Sequence, residues 1–499
     1  MNYDYIIVGG GVCGLTLATY LSKNNKKICL IEKESSLGGC NRVTRVNGLF
    51  SEHGPRVYSG AYVNFINILK ELNLDFHDLF VPYNFNVMTS IKTEISNFKL
   101  SELFILFIYF LLLNKNYKQI TMNEFMSKHN FSDKSKDNVD LMCRLVSGAG
   151  SDRTTLYKYF KLIDNNIFYK FYLPNKPMDV NLFNYWEEYL NIKKVDIIKG
   201  LYVNELINIP FTYSNNSNVL TDERNHNIIG VKLNNETIIK GNKIILAFPP
   251  FNISKLISNN KNTINAFGPF EKFNSWALDT NYMIHIPIVF HWDSKTYNSI
   301  NNKKSNDWAL NNKWGKVQGD WGIIYIVLSN YMDFNDDRSN LVISTVITKA
   351  DYKSSFTNKT PHETNNINEI IDETFRQIKL IYPDLPKPTY AILNQNYYDN
   401  NLKLWIPKDT SFIETKSGIY DFKSVQFNNL FMCGTQNGSS NFNITTMETA
   451  CTNALQLINI LEPNINKPII NNSISLFNII KLIYLLLLLL IIYRFFIIK

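Results

Sequence analysis

Tyr5 to Val8 form an apolar run that stops at three consecutive glycines, Gly9, Gly10 and Gly11. Behind them Leu15, Leu17, Ala18 and Leu21 recur at helical spacing. A short continuous apolar run of this kind is what a parallel strand buried on both faces requires. A second run, KICLIEK (27–33), completes a strand–helix–strand unit within about 30 residues. Residues 61–74 carry an amphipathic helical pattern, and 96–145 holds more helix signals than strands. Strand patterns return over 194–250, and 270–424 mixes strand runs (HIPIVFHW, GIIYIVLS, LVISTVIT) with a helical stretch at 364–381. Residues 103–113, LFILFIYFLLL, fall short of the ~20 residues a bilayer span needs, which predicts a buried helix or one lying on the membrane surface. The tail is different: Ser475 to Tyr493 is apolar apart from Asn478 and Lys481, and Leu485 to Leu490 has no polar face. Hydropathy there predicts a single C-terminal transmembrane anchor over 475–498, with the folded part on the cytosolic side.

Composition narrows the class. Of 499 residues 45% are hydrophobic and 19% charged, the balance of a folded globular chain. The net charge of +8 is spread along the length without a basic stripe, which argues against nucleic acid as a partner. The six cysteines fall in no close pairs and the histidines show no metal-ligand spacing. These point to a reduced, cytosol-facing environment and to no structural metal.

The first glycines have a chemical reading. Gly9, Gly11 and Gly14 satisfy G-x-G-x-x-G between a predicted strand and helix. The first allows a tight turn, the second a close approach of backbone to a pyrophosphate, and the third close packing of helix on strand. The helix N-terminus then attracts the phosphate charge. Glu32, at the end of the second strand, is placed to bind an adenosine ribose, and its charge disfavours a 2′-phosphate.

Residues beyond Glu32 extend the pattern. Gly38 and Gly39, then Arg42, resemble the flavin-binding start of the monoamine oxidase, protoporphyrinogen oxidase and phytoene desaturase superfamily. The common Gly-Gly-Arg is Gly38-Gly39-Cys40 here, and the arginine comes two places later. NKIILAFPP (242–250) is similar to the superfamily's strand ending in paired prolines, and Val203 falls on a segment resembling its adenine-side strand. The stretch 429–458 resembles the closing flavin motif, with Gly434 ending a strand and Glu448 opening a helix, although Thr435 stands where an acidic residue is usual. His53-Gly54-Pro55-Arg56 looks like the flavin-adjacent loop, Arg56 standing where UDP-galactopyranose mutases carry a histidine.

The resemblance implies an α/β fold: a Rossmann-type FAD-binding domain built from discontinuous segments (1–90, 195–255 and 425–462), a mixed α+β substrate domain (91–194, largely helical, and 256–424), and the transmembrane helix. It implies noncovalent FAD, with Gly9, Gly11, Gly14, Glu32, Gly38, Gly39, Arg42, Arg56, Val203, Gly434 and Glu448 around it. Tyr397, Tyr398 and Trp405 are candidates for an aromatic wall, and Lys272 falls where an active-site lysine can occur; neither set is assigned a catalytic role. The function implied is a membrane-anchored oxidoreductase of amine-oxidase type acting on an amine or a lipophilic small molecule. Two alternatives stay open: a non-redox isomerase or mutase of the UDP-galactopyranose mutase kind, and an inactive binding protein that keeps the fold.

Overall fold

The structure, a computed structural model, describes residues 2–83, 95–112, 115–147, 149–208, 227–282, 285–301, 317, 319–409, 412–414, 420–437, 440, 442, 445–465, 469–470 and 475–496. Strand β1 (Asn2–Val8) and helix α1 (Val12–Leu21) flank the first glycines, and β2 (Ile28–Glu32) comes next. Every residue of α1 is buried, as a helix that lies on a sheet and is covered by others must be. Strands β3 (Asp196–Lys199), β4 (Val203–Asn208), β5 (Ile228–Leu233) and β6 (Ile238–Leu246) join β1 and β2 in the order β3-β2-β1-β6-β5-β4. The strand Leu430–Met432 pairs in parallel with β6 and completes a seven-stranded sheet. Pairing is parallel from β3 through β6 and antiparallel from β6 to β4. Residues 2–8 and 430–432 are thus neighbours of one strand although most of the chain lies between them.

Each face of this sheet carries its own core. On one side Tyr5, Ile7 and Leu30 pack with α1, α2 (Val63–Glu71), Trp186 and the helix Met447–Leu461. Trp186 lies under α1 and donates its indole N–H to Thr19 Oγ1 at 2.8 Å. On the other side Ile6, Val8 and Ile244 meet two helices, Pro250–Ser258 and Phe270–Asp279. A four-stranded antiparallel sheet, β8-β9-β7-β10, has a separate core; its strands are β7 (Ile286–Trp292), β8 (Ile323–Val327), β9 (Leu341–Ile347) and β10 (Tyr390–Ile392). All residues of β7, β8 and β9 are buried, because the helix Ile367–Ile378 covers one face and the rest of the protein the other.

A helical layer forms the fourth cluster. It contains α3 (Leu100–Leu111), α4 (Met122–Lys128), α5 (Asp133–Ser147) and α6 (Leu156–Asn166). Helix α3 is one-sided: Phe110 is in the core while Leu100, Phe104 and Phe107 are exposed. Its N-terminus is held by Glu102, which accepts from the backbone N–H of Lys99 and of Ser132.

The expected membrane anchor is corrected. The tail is a helix, Leu476–Phe496, yet among the described residues no helix is long and apolar enough to cross a membrane. The reason lies at its base. Asp164 Oδ1 on α6 accepts from Ser475 Oγ and from the Phe477 backbone N–H, each at 2.8 Å. Leu476, Phe477 and Ile480 then pack against the helical core. Between Lys481 and Arg494 there remain residues 482–493, about 18 Å of helix against a hydrocarbon thickness of about 30 Å. The single-pass C-terminal anchor that hydropathy suggested is thus not shown.

Candidate dinucleotide and substrate cavity

The two glycine pairs meet. The Gly38 N–H donates to Gly10 O at 2.9 Å, and Gly11 and Gly38 form an isolated parallel bridge. A Cβ on Gly39 would stand 3.0 Å from Gly11 Cα, so side chains at this contact would part the two loops. Gly14 serves a different contact: its Cβ would lie 1.9 Å from Gly9 O, which no rearrangement of a side chain could relieve. No side chain caps α1 at Gly11 and no acidic residue occupies its first turn, so the orphan N–H groups of that helix end are left for a ligand. Glu32 closes the cradle. Its Oε2 accepts from the Gly10 N–H at 2.6 Å and its Oε1 from the Glu34 N–H at 3.0 Å, leaving further acceptor positions on a side chain that lines the cavity. Burial pushes its pKa up, and the two N–H donors pull it back.

A cavity of about 1030 Å³ opens from this cradle. Gly9, Gly11, Glu32, Gly38, Gly39, Arg42, Arg56, Val203 and Gly434 all line it. Gly14 and Glu448 do not. Gly14 acts one layer below, and Glu448 is 3% exposed and acts as a cap. Its Oε1 accepts from the backbone N–H and the side-chain amide of Asn64, and Oε2 from the Phe65 N–H. These donors belong to the start of α2, where Tyr62 offers no capping side chain. Arg42 is 9% exposed at its side chain and is held by Asp409 at 2.7 Å, which also binds Lys33. Those two cations hold the Asp409 carboxyl below its ordinary range against the effect of burial. Lys272 is exposed on its helix and does not line the cavity. Tyr397, Tyr398 and Trp405 are also absent from the lining: Tyr397 is exposed, and Trp405 is a core residue whose indole donates to Thr364 O.

The four-stranded sheet supplies residues that the sequence pattern did not single out. Ile324, Tyr325 and Ile326 of β8, Val346 of β9, and His285 just before β7 face the same cavity. His285 Nε2 lies 3.0 Å from His53 O. A carbonyl only accepts, so Nε2 carries the proton and Nδ1 is a bare acceptor; it is buried and, among the described residues, has no hydrogen-bond partner. Burial, opposed by the His53 carbonyl, pushes the His285 pKa down to about 4. His53, its ring centroid 5.0 Å away, is pushed well down by burial and by His285 itself. Both rings are neutral near pH 7. Only a histidine opening an apolar run, HIPIVFHW, hinted at this in the sequence. The helix Met447–Leu461 presents its N-terminus to the cavity, with Thr446 capping it and Thr445, Thr446 and Met447 in the lining.

These residues fit an adenine dinucleotide. The Gly-rich turn, the uncapped helix end and the carboxylate ending β2 are the donor and acceptor set of a pyrophosphate and a ribose. The class is thus an α/β protein with a Rossmann-type dinucleotide fold. The NAD(P)-binding Rossmann-like domain family matches residues 7–72, the stretch that contains the cradle.

Over the whole chain the fold is similar to those of several solved oxidoreductases. An oxidoreductase from Methanosarcina mazei superposes with a TM-score of 0.59 at 13% identity, covering 91% of this chain and 99% of that one. Putrescine oxidase, bound to putrescine, gives 0.59 at 12%, covering 92% and 99%. Cyclohexylamine oxidase from Brevibacterium oxydans IH-35A gives 0.56 at 11%, covering 93% and 100%. At these identities the likeness is one of fold. In sequence, the UDP-galactopyranose mutase of Mycoplasma genitalium is 32% identical over 101 residues, 17% of this chain and 25% of the mutase. That of Mycoplasma pneumoniae is 30% identical over 103 residues, 17% and 26%. The match spans about a quarter of each mutase.

Proposed function

We propose that the protein is an FAD-dependent oxidoreductase with a small-molecule substrate, noncovalent FAD lying in the cradle. The observation that carries this reading is the continuity of one cavity from the glycine cradle and Glu32 to the four-stranded sheet. A dinucleotide held by the cradle would share its cavity with Ile324, Tyr325 and Ile326 of β8, Val346 of β9 and His285. The FAD-binding part comprises 1–90, 195–255 and 425–462, and the substrate part the segments between them. Gly9, Gly11, Gly38 and Gly39 give backbone access to the pyrophosphate, and Glu32 takes the ribose. Arg42, oriented by Asp409, adds positive charge beside the phosphates. Val203 lies at the adenosine end with Lys255, and the helix beginning at Met447 turns its positive end to the site. When bound, the flavin supplies the electron chemistry. The chain supplies position, a dry chamber and, at His285 Nδ1, an acceptor for a substrate O–H or N–H proton. The four-stranded sheet excludes water on its side through Ile324, Ile326 and Val346.

The test is the visible absorbance of the purified full-length protein, followed by anaerobic reduction and exposure to air. A flavin that is reduced by a substrate panel and reoxidised by oxygen supports an oxidase; a protein that retains no flavin refutes the reading. A second reading, a mutase without net redox turnover, is favoured by the local match to UDP-galactopyranose mutases. It requires turnover only after prior reduction of the flavin and no peroxide.

A further inference from the structure

The same cavity is unlike its two ends in a way that bears on the substrate. Away from the cradle it continues as an arm between helices, lined by Leu103, Leu106 and Phe110 of α3, Phe160 and Ile163 of α6, and Leu476. The arm reaches the surface beside Phe107, which lines it and is 47% exposed. These six positions form an apolar wall that suits a hydrocarbon chain, while Asn138 and Arg144 of α5 and Asn166 of α6 also line the cavity.

Arg56 lines the cavity close enough to His285 to act on it electrostatically. Among the described residues, the acidic side chains of the lining are Glu32 and Asp409. Both are at the cradle, the first engaged by backbone N–H groups and the second by Arg42 and Lys33. Of the cations, Arg144 is tied to Asp140 and to Thr348 O, and Lys255 lies over the Phe251 ring. Arg56 is different: it lines the cavity and, among the described residues, makes no hydrogen bond or ion pair. Its neighbour Glu52 does not line the cavity. A guanidinium has five donors, and these find no acceptor among the described residues. An ammonium group here would meet a cation, and the Glu52 carboxyl that acts on Arg56 does not face it across the cavity.

We propose that the substrate is an amphiphilic anion, with a carboxylate or phosphate head on Arg56 and a hydrocarbon chain in the arm. This rests on the flavoenzyme reading and narrows its substrate class, setting amines aside.

The flavin-loaded protein is titrated with dansyl-labelled undecanoate, and the probe is displaced by laurate, dodecyl phosphate, dodecylamine and decanol below their micelle concentrations. Laurate or dodecyl phosphate should displace it at least about tenfold better than dodecylamine or decanol, since a charge-assisted contact is worth about that factor. Which of the two anions is the stronger identifies the head. Arg56→Gln should remove the advantage of the anions while leaving decanol unchanged, and Arg56→Lys should restore part of it. Ile163→Trp, which fills the arm, should weaken both anions. Equal displacement by dodecylamine, or unchanged selectivity in Arg56→Gln with its flavin spectrum and melting temperature intact, overturns the proposal. Flavin absorbance is read separately: anion-selective binding to a protein without flavin would overturn the cofactor reading and support the anion site.

Discussion

Glu448 is the residue at which the sequence resemblance and the structure say different things, and a substitution there separates them. In the structure it caps α2, whose own cap position carries Tyr62 with no acceptor to offer. Glu448→Ala removes the acceptor for the backbone N–H groups of Asn64 and Phe65. The Asn64 side chain keeps Thr452 Oγ1 and Ile470 O as acceptors, so two buried donors are orphaned. An unsatisfied buried donor costs about 1–3 kcal/mol, which gives about 4 kcal/mol for the pair. With ~2.1 cal/mol/K of unfolding entropy per residue, a chain of this length loses about 1 °C per kcal/mol, so the melting temperature should fall by about 4 °C. Glu448→Gln keeps one acceptor oxygen and should cost about half as much. Differential scanning calorimetry reads the shift, and the flavin absorbance of the same samples should keep its amplitude and shape. Loss of flavin from Glu448→Gln with an unchanged melting temperature would place the carboxyl on the cofactor and refute the capping argument.

The same geometry sets other outcomes. Gly14→Ala puts a Cβ against Gly9 O, and the variant should fail to retain flavin and expose its core to a hydrophobic dye. Burial pushes the Glu52 pKa up from 4.5 to about 7, so the folded state holds a proton there that the unfolded state has lost, and Glu52 favours folding as pH falls through this window. Glu52→Gln should therefore lose stability on acidification from pH 7 to 4.5 more steeply than wild type, by about 1.4 kcal/mol per pH unit in urea titrations; parallel slopes would refute it. The opposite sign applies to His285 and His291, whose pKa values are pushed down to about 4 by burial. Their contribution is complete above about pH 6.5 and fades toward pH 4, so His291→Gln should flatten the acid limb. Five cysteines are buried and Cys40 is half-buried, so a thiol reagent should modify Cys40 quickly in the native protein and the others only after unfolding. Asp164→Ala should release the terminal helix, read as faster proteolytic loss of the tail with the flavin spectrum retained.

The first strand–helix–strand unit was legible because its signals are local. Gly9, Gly11 and Gly14 are required by contacts between residues a few positions apart, and Glu32 ends the strand that pairs beside β1. Period and composition likewise placed α2 and the strands β5 to β9 close to where they stand. Such features depend on backbone geometry and on which side chains can be buried, and a single stretch of chain carries both.

The cradle, and the order of strands and helices around it, are therefore written in local stretches of the chain. Which residues face the cavity depends instead on contacts between distant segments. Glu448 and Gly14 lie in motifs yet act through packing, while His285, Asp409 and β8 reach the site from far along the chain. The tail shows the same division: hydropathy recorded that Leu476 to Phe496 avoids water, but Asp164, more than three hundred residues earlier, brings its first turns against protein. Local pattern records what a segment tolerates, and the partner that satisfies it is fixed only when distant segments are brought together.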